Sequence, residues 1–235
     1  MAVIYDTILR RAKAGEKMLV RLIDPEKFNP STLCDGFDYY FVGGSTARSS
    51  EAVVLAIHRT CSAPVILFPG SPSQFTPEAD ALLFLTLMNS RDPRFLIDMH
   101  LQSAGGIIAS GIETIPMGYI LIDGGRESST QRLTGVTPLP QTDVEAVVRL
   151  AQTAELLGKR LIYLEAGSGA KTPVSQQIIR AVRSAVSVPL IVGGGICSVS
   201  QMNEAFRSGA DIVVIGNHFE THPEEIPEWI RTKNI

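Results

Sequence analysis

Cysteine, aromatic residues and surplus positive charge are all scarce in this chain of 235 residues, and each shortage excludes a class of protein. The three cysteines, Cys34, Cys61 and Cys197, are odd in number, far apart and without a CxxC pair. A disulfide framework or structural zinc site is thereby excluded, and a cytoplasmic, reducing setting is expected. Aromatics make up 6% of the chain, too few for a base-stacking surface. Lys and Arg number 21 against 24 Asp and Glu, a formal charge of −3 that leaves no basic footprint for nucleic acid. Long apolar runs are missing as well. Asp6 interrupts the place where a signal peptide would need its apolar core, and the stretch 105–123 is broken by Glu113 and Pro116, so neither export nor a membrane span is expected.

What is abundant is aliphatic. Hydrophobic residues reach 45% and charged residues only 19%, a composition that packs rather than stays disordered. Short aliphatic runs recur, each followed by a Gly- or Asp-containing turn and an amphipathic segment. Candidate strands fall at 18–23, 39–42, 65–68, 81–87, 119–122, 160–164, 189–192 and 211–215. Runs such as Ile-Val-Val-Ile have no polar alternation, as expected of parallel strands buried on both faces.

Helix signals punctuate the second half. Thr142 with Glu145 reads as a capping box, with Val144, Val147, Val148 and Ala151 on one face and Gly158 as a stop. Thr172-Pro173 opens the next helix, whose Ile178, Val182 and Val186 share a face, and Ser198 with Gln201 caps another carrying Val199, Met202 and Phe206 inward. Between Phe68 and Ala81 the run Pro-Gly-Ser-Pro-Ser-Gln-Phe-Thr-Pro is too rich in proline for a helix. The pattern predicts one α/β domain over residues 1–235, a (β/α)8 TIM barrel with the helix after the third strand replaced by extended chain; an open doubly wound sheet is the alternative.

In such a barrel the chemistry sits at the carboxyl ends of the strands. Glycine-rich turns follow the sixth, seventh and eighth strands: Gly167-Ser168-Gly169, Gly193-Gly194-Gly195 and Gly216-Asn217. One such turn is explained by backbone geometry alone, but three on adjacent strands aim several N–H groups at one point and predict a phosphate monoester site. Asp24 ends the first strand, where it either caps a turn or, with the Ser45 hydroxyl, binds Mg2+, which takes hard oxygen ligands and keeps waters. Glu165 ends the sixth strand beside the phosphate site, placed to act as a general base, and Tyr163 shares its face. Lys27 and Arg21 are weaker candidates for phosphate contact. His218 and His222 lack the further ligands a zinc site requires.

The runs LIDPEK (22–27), FVGGS (41–45), ILFPGS (66–71), YLEAGSGA (163–170), VGGGI (192–196) and VIGN (214–217) together resemble the geranylgeranylglyceryl phosphate synthases over nearly the whole chain. YLEAGSG is the most specific of them. The resemblance implies a modified barrel lacking one helix and a prenyl transfer in which sn-glycerol 1-phosphate is joined to geranylgeranyl diphosphate with release of pyrophosphate. It assigns glycerol phosphate to Tyr163, Leu164, Glu165, Ala166, Gly167, Ser168, Gly169, Gly194, Gly195, Gly216 and Asn217, the base to Glu165, and Mg2+ on the diphosphate to Asp24 and Ser45. It also implies a homo-oligomer, a dimer or hexamer, with transient contact to a membrane surface. Phe75, Phe95 and Met99 are candidate walls of the prenyl groove. Three alternatives stay open: a heptaprenyl-using synthase, a phosphosugar isomerase using Asp24 and Asp123 as acid and base, and a non-catalytic phospholipid-binding barrel.

Overall fold

The computed structural model describes residues 3–44 and 49–233. Eight parallel strands close into a barrel in sequential order: β1 (Met18–Ile23), β2 (Tyr39–Val42), β3 (Val65–Leu67), β4 (Ala81–Leu87), β5 (Glu113–Leu121), β6 (Leu161–Glu165), β7 (Leu190–Gly193) and β8 (Ile212–Ile215). The register of β8 on β1, Met18 opposite Ile212, completes the closure. This is the expected TIM barrel, not the open sheet. Seven strands fall within a residue or so of the expected positions; β5 begins earlier, at Glu113, and takes Pro116 into the ladder opposite Phe84.

Alternation along the strands divides the core in two. Val20, Phe41, Ile66, Leu83, Met117, Tyr163, Ile191 and Val214 fill the barrel interior. Leu19, Tyr40, Val65, Leu82, Ile120, Leu164, Leu190 and Val213 point outward against the helices. Both sets are buried, which is why the runs show no polar alternation. The helix α1 (Val3–Lys13) precedes β1 and contributes Tyr5 and Ile8 to the interior cluster. Glu113 caps it from the start of β5, accepting the N–H groups of Val3, Ile4 and Tyr5 at 2.9, 2.8 and 2.8 Å.

The outer layer includes α2 (Glu51–Thr60), α3 (Met99–Ser110), α4 (Ser129–Thr134), α5 (Val144–Leu156), α6 (Gln176–Ala185) and α7 (Val199–Ser208), followed after β8 by α8 (Asn217–Thr221) and α9 (Ile226–Thr232). Two caps differ from expectation. Asp143, not Thr142, accepts a free N–H in the first turn of α5, from Ala146, and α6 is capped by Ser175, whose hydroxyl accepts from Ile178, rather than opening at Thr172-Pro173. In both cases a better-placed short polar side chain lies one to three residues nearer the helix. Ser198 caps α7 as expected. Val147, Ala151, Ile178, Val182, Met202 and Phe206 are buried against the sheet.

Two crossovers lack an α-helix. The β3–β4 connection makes a single 3₁₀ turn, Pro72–Gln74, as its proline content predicts. The β1–β2 connection has only the 3₁₀ turns Pro25–Lys27 and Pro30–Thr32, which the sequence reading did not anticipate. Arg21, on the outer side of β1, fills the space instead: its guanidinium donates to the Thr32 carbonyl and, at 2.6 Å, to the Thr32 hydroxyl. It is therefore spent on the fold and not available to a phosphate.

A π-helical turn, Arg94–Asp98, leads into α3. Gly105 and Gly106 lie in that helix with nothing within 4 Å of where a Cβ would be. Gly105→Ala and Gly106→Ala should each stabilise the fold by about 0.5–1 kcal/mol, read as a higher melting temperature, because alanine removes backbone freedom from the unfolded chain without a clash. Among the described residues no helix is long and apolar enough to cross a membrane.

Candidate active site

A cavity of about 450 Å³ opens at the carboxyl ends of the strands. Its mouth takes Asp24 from the end of β1, Glu165 from β6, Ser168 and Gly169 beyond it, Gly194 and Gly195 after β7, and Gly216 and Asn217 after β8. From there it runs between β4 and α3, past Leu82, Phe84, Phe95, Met99 and Ile107, with Phe75 from the β3–β4 connection. One end is thus polar and rich in backbone N–H groups, and the other is apolar.

Glu165 is a strongly perturbed carboxyl group in this cavity. It is 6% exposed, and burial lifts it from an ordinary 4.5 to about 7. Two hydrogen bonds to the ionised form oppose that rise: the Gly167 N–H donates to Oε1 at 2.6 Å, and Tyr163 bonds to the carboxylate through its side chain. Tyr163 is held in turn by aromatic packing. Phe68 stacks on it at 5.4 Å between ring centroids, and Tyr119, its partner across the β5–β6 ladder, meets it edge-on at 5.3 Å. Burial raises both tyrosine hydroxyls, Tyr163 and Tyr119, well above their ordinary value, so both stay protonated donors.

The loop after β7 is shaped around these groups. A Cβ on Gly193 would stand 2.2 Å from the Tyr163 hydroxyl, and one on Gly194 would stand 2.3 Å from Glu165 Oε1 and 2.6 Å from the Gly167 nitrogen. Gly194 also holds φ at +79°, a left-handed conformation that favours glycine. Ser168 donates to Asn217 Oδ1 at 2.9 Å, tying the loops after β6 and β8 together.

Of the residues singled out in the sequence, Tyr163, Glu165, Ser168, Gly169, Gly194, Gly195, Gly216, Asn217 and Asp24 all line this cavity. Leu164 and Ala166 turn their side chains into the layer between sheet and helices, so any contact they make with a substrate goes through the backbone. Gly167 is engaged with Glu165. Ser45 lies outside the described residues. Asp24 packs against Gly44, and its Oδ1 accepts the Glu26 N–H at 3.0 Å. Lys27 pairs with Glu220 at 3.0 Å. His218 bonds to Glu225 at 2.7 Å and stacks on His222. Asp123 is not among the lining residues; its Oδ1 accepts the Gly125 N–H in a turn. The isomerase alternative therefore loses the second of its two carboxylates.

Sequence reasoning missed Phe68 and Tyr119 as site residues. The inward alternation of β5 could have found Tyr119.

Residues 11–233 match the model of the PcrB family. The chain belongs to that family. Among similar proteins, this PcrB-family chain is 42% identical to the geranylgeranylglyceryl phosphate synthase of Zunongwangia profunda over 229 residues, 94% of this chain and 98% of that one. It is 36% identical to the enzyme of the same name from Korarchaeum cryptofilum over 222 residues, covering 90% and 91% of the two chains. The crystal structure of (S)-3-O-geranylgeranylglyceryl phosphate synthase from Thermoplasma acidophilum, in complex with its substrate sn-glycerol-1-phosphate, matches with a TM-score of 0.90 at 30% identity over 100% of this chain and 99% of that chain.

Proposed function

We propose that the protein is a prenyltransferase that joins sn-glycerol 1-phosphate to geranylgeranyl diphosphate through an ether bond. The observation that carries this reading is the single cavity in which a buried carboxylate, raised to about 7, separates a glycine-lined polar mouth from an apolar groove. The kinship with synthases of that name supports it. The glycerol phosphate is held at the loops after β6, β7 and β8, where backbone N–H groups take its anionic end. Its free hydroxyl faces Glu165. The hydroxyl oxygen attacks the first carbon of the prenyl chain, the bond from that carbon to the diphosphate oxygen breaks, Glu165 takes the hydroxyl proton, and pyrophosphate leaves. Tyr163 fixes the carboxylate in place while the reaction occurs. An unactivated alcohol gains most from such positioning and proton removal.

The chain's own residues suit a magnesium ion at the mouth. Asp24 lines the cavity with one carboxylate oxygen occupied by the Glu26 N–H, which leaves the other for a ligand. Mg2+ requires few protein oxygens when phosphates and waters complete its shell. Asp24 would hold it, with Ser45 as the second donor, and the ion would neutralise charge on the departing diphosphate. Asp24→Asn is expected to weaken magnesium-dependent binding of pyrophosphate, measured calorimetrically; binding equal to wild type removes Asp24 from that role.

The apolar end accounts for the polyisoprenoid. The space beside β4 that a β3–β4 crossover helix would occupy is instead lined by Phe75, Phe84, Met99 and Ile107. A homo-oligomer, a cytoplasmic setting and contact with a membrane surface belong to the same proposal. Ile97, Leu101 and Ile108 are large apolar side chains exposed along the π turn and α3, available for either kind of contact.

The deciding experiment incubates the purified protein with magnesium, sn-glycerol 1-phosphate and prenyl diphosphates of different lengths, and follows pyrophosphate and ether product. Turnover that requires both substrates, fastest with the geranylgeranyl chain, is the expected result. Fastest turnover with a heptaprenyl chain corrects the chain length, and binding without turnover leaves a non-catalytic module.

A further inference from the structure

A second, smaller cleft of about 290 Å³ adjoins the mouth and shares Lys27, Ser129, Ser168, Gly169 and Asn217 with it. Arg126, Glu127 and Arg132 line the remainder. The charges in it are not equivalent. Lys27 is neutralised by Glu220, and Arg132 reaches the Ser129 hydroxyl at 3.4 Å. Arg126 is exposed and makes no hydrogen bond or ion pair with the described residues, and its guanidinium Nη1 stands 3.7 Å from where a Cβ on Gly169 would be. An unpartnered guanidinium beside a loop of open backbone N–H groups is placed for an anion, because its planar fork of donors matches phosphate oxygens.

Resting on the glycerol phosphate reading above, we infer that Arg126, supported by Arg132, is a binding residue for the phosphate of that substrate, closing the site from the solvent side. The β6, β7 and β8 loops supply partial charges from N–H groups, and the β5–α5 connection, which carries Arg126 and the short α4, supplies the full positive charge they lack. This assigns the β5–α5 connection a part in selecting a phosphate monoester over an uncharged polyol. The binding role predicts an effect on substrate capture and not on the chemical step.

Arg126→Gln, Arg126→Lys and Arg126→Gln/Arg132→Gln test this by calorimetric titration with glycerol 1-phosphate and, separately, with pyrophosphate and magnesium. Both side chains are exposed, so the fold is expected to persist, with circular dichroism as the check. Arg126→Gln should weaken glycerol 1-phosphate binding about tenfold, the size of one charge-assisted hydrogen bond, and the double variant more. The affinity lost should come with a shallower salt dependence, Arg126→Lys should recover part of it, and KM for glycerol phosphate should rise with kcat nearly unchanged. Wild-type affinity in Arg126→Gln overturns the assignment, as does a loss confined to pyrophosphate. Wild-type protein that binds no glycerol 1-phosphate overturns the substrate reading itself, and the inference with it.

Discussion

Glu165→Gln should lower turnover by about 10²–10⁴-fold, the usual contribution of a positioned general base, while glycerol 1-phosphate still binds. The amide keeps an oxygen to accept the Gly167 N–H and fits the same space, but it cannot take a proton. Because burial sets the wild-type carboxyl at about 7, kcat/KM should fall as pH drops below that value and level off above it, and the variant should lose this dependence. Wild-type turnover in the variant excludes Glu165 as the base. A stability measurement gives an independent reading of the same group. Folding raises the Glu165 pKa from 4.5 to about 7, so between those values the native state holds a proton that the unfolded chain has released. Stability from this group is therefore complete below 4.5, is lost as pH rises through about 7, and the total is roughly 3 kcal/mol. Glutamine carries no such loss. In urea melts the variant should gain on the wild type as pH rises across that window.

The barrel was legible because parallel strands buried on both faces leave an unmistakable trace. Ile212–Ile215 and residues 190–192 are aliphatic throughout, and the glycine turns after them mark where each strand delivers its loop. The missing helix before β4 was legible for the same local reason, its prolines. The bare β1–β2 connection was not, because its compensation is long-range: Arg21 donates across eleven residues to Thr32, and an arginine within a strand gives no hint of its partner. Helix caps failed where two short polar residues competed, as Thr142 and Asp143 did, since which one caps depends on where the chain leaves the preceding turn.

Within the site, Glu165 and the glycines could be read from strand ends. Their interdependence could not. That Tyr163 lies between Phe68 and Tyr119 follows from closing the barrel, which brings side chains of β5, β6 and the residue just after β3 together in the interior. Closure is also what buries Glu165 and lifts its pKa; the same carboxylate at the end of an isolated strand would be solvated and ordinary. The reactivity of the group is thus a property of the fold, although its identity is local.

Gly194→Ala should cost about 10²-fold in kcat, comparable to a displacement of the catalytic group by an ångström. The methyl group would stand 2.3 Å from Glu165 Oε1 and 2.6 Å from the Gly167 nitrogen, the two ends of the hydrogen bond that orients the base. A side-chain oxygen can yield, but the Gly167 backbone cannot without shifting the loop after β6. Alanine must also adopt φ +79°, at about 1–2 kcal/mol in stability. The variant should therefore melt earlier than wild type and show a pH midpoint displaced from about 7, whereas Gly105→Ala, on an open helix surface, should do neither. Since Gly194 also borders the glycerol phosphate site, weaker substrate binding alone could slow the enzyme, and a double-mutant cycle separates the two causes. If Gly194 acts through the carboxylate, adding Gly194→Ala to Glu165→Gln should cost far less in kcat than adding it to wild type, because the group it misplaces has already been disabled. Equal losses in both backgrounds would mean that this glycine serves the phosphate and not the base.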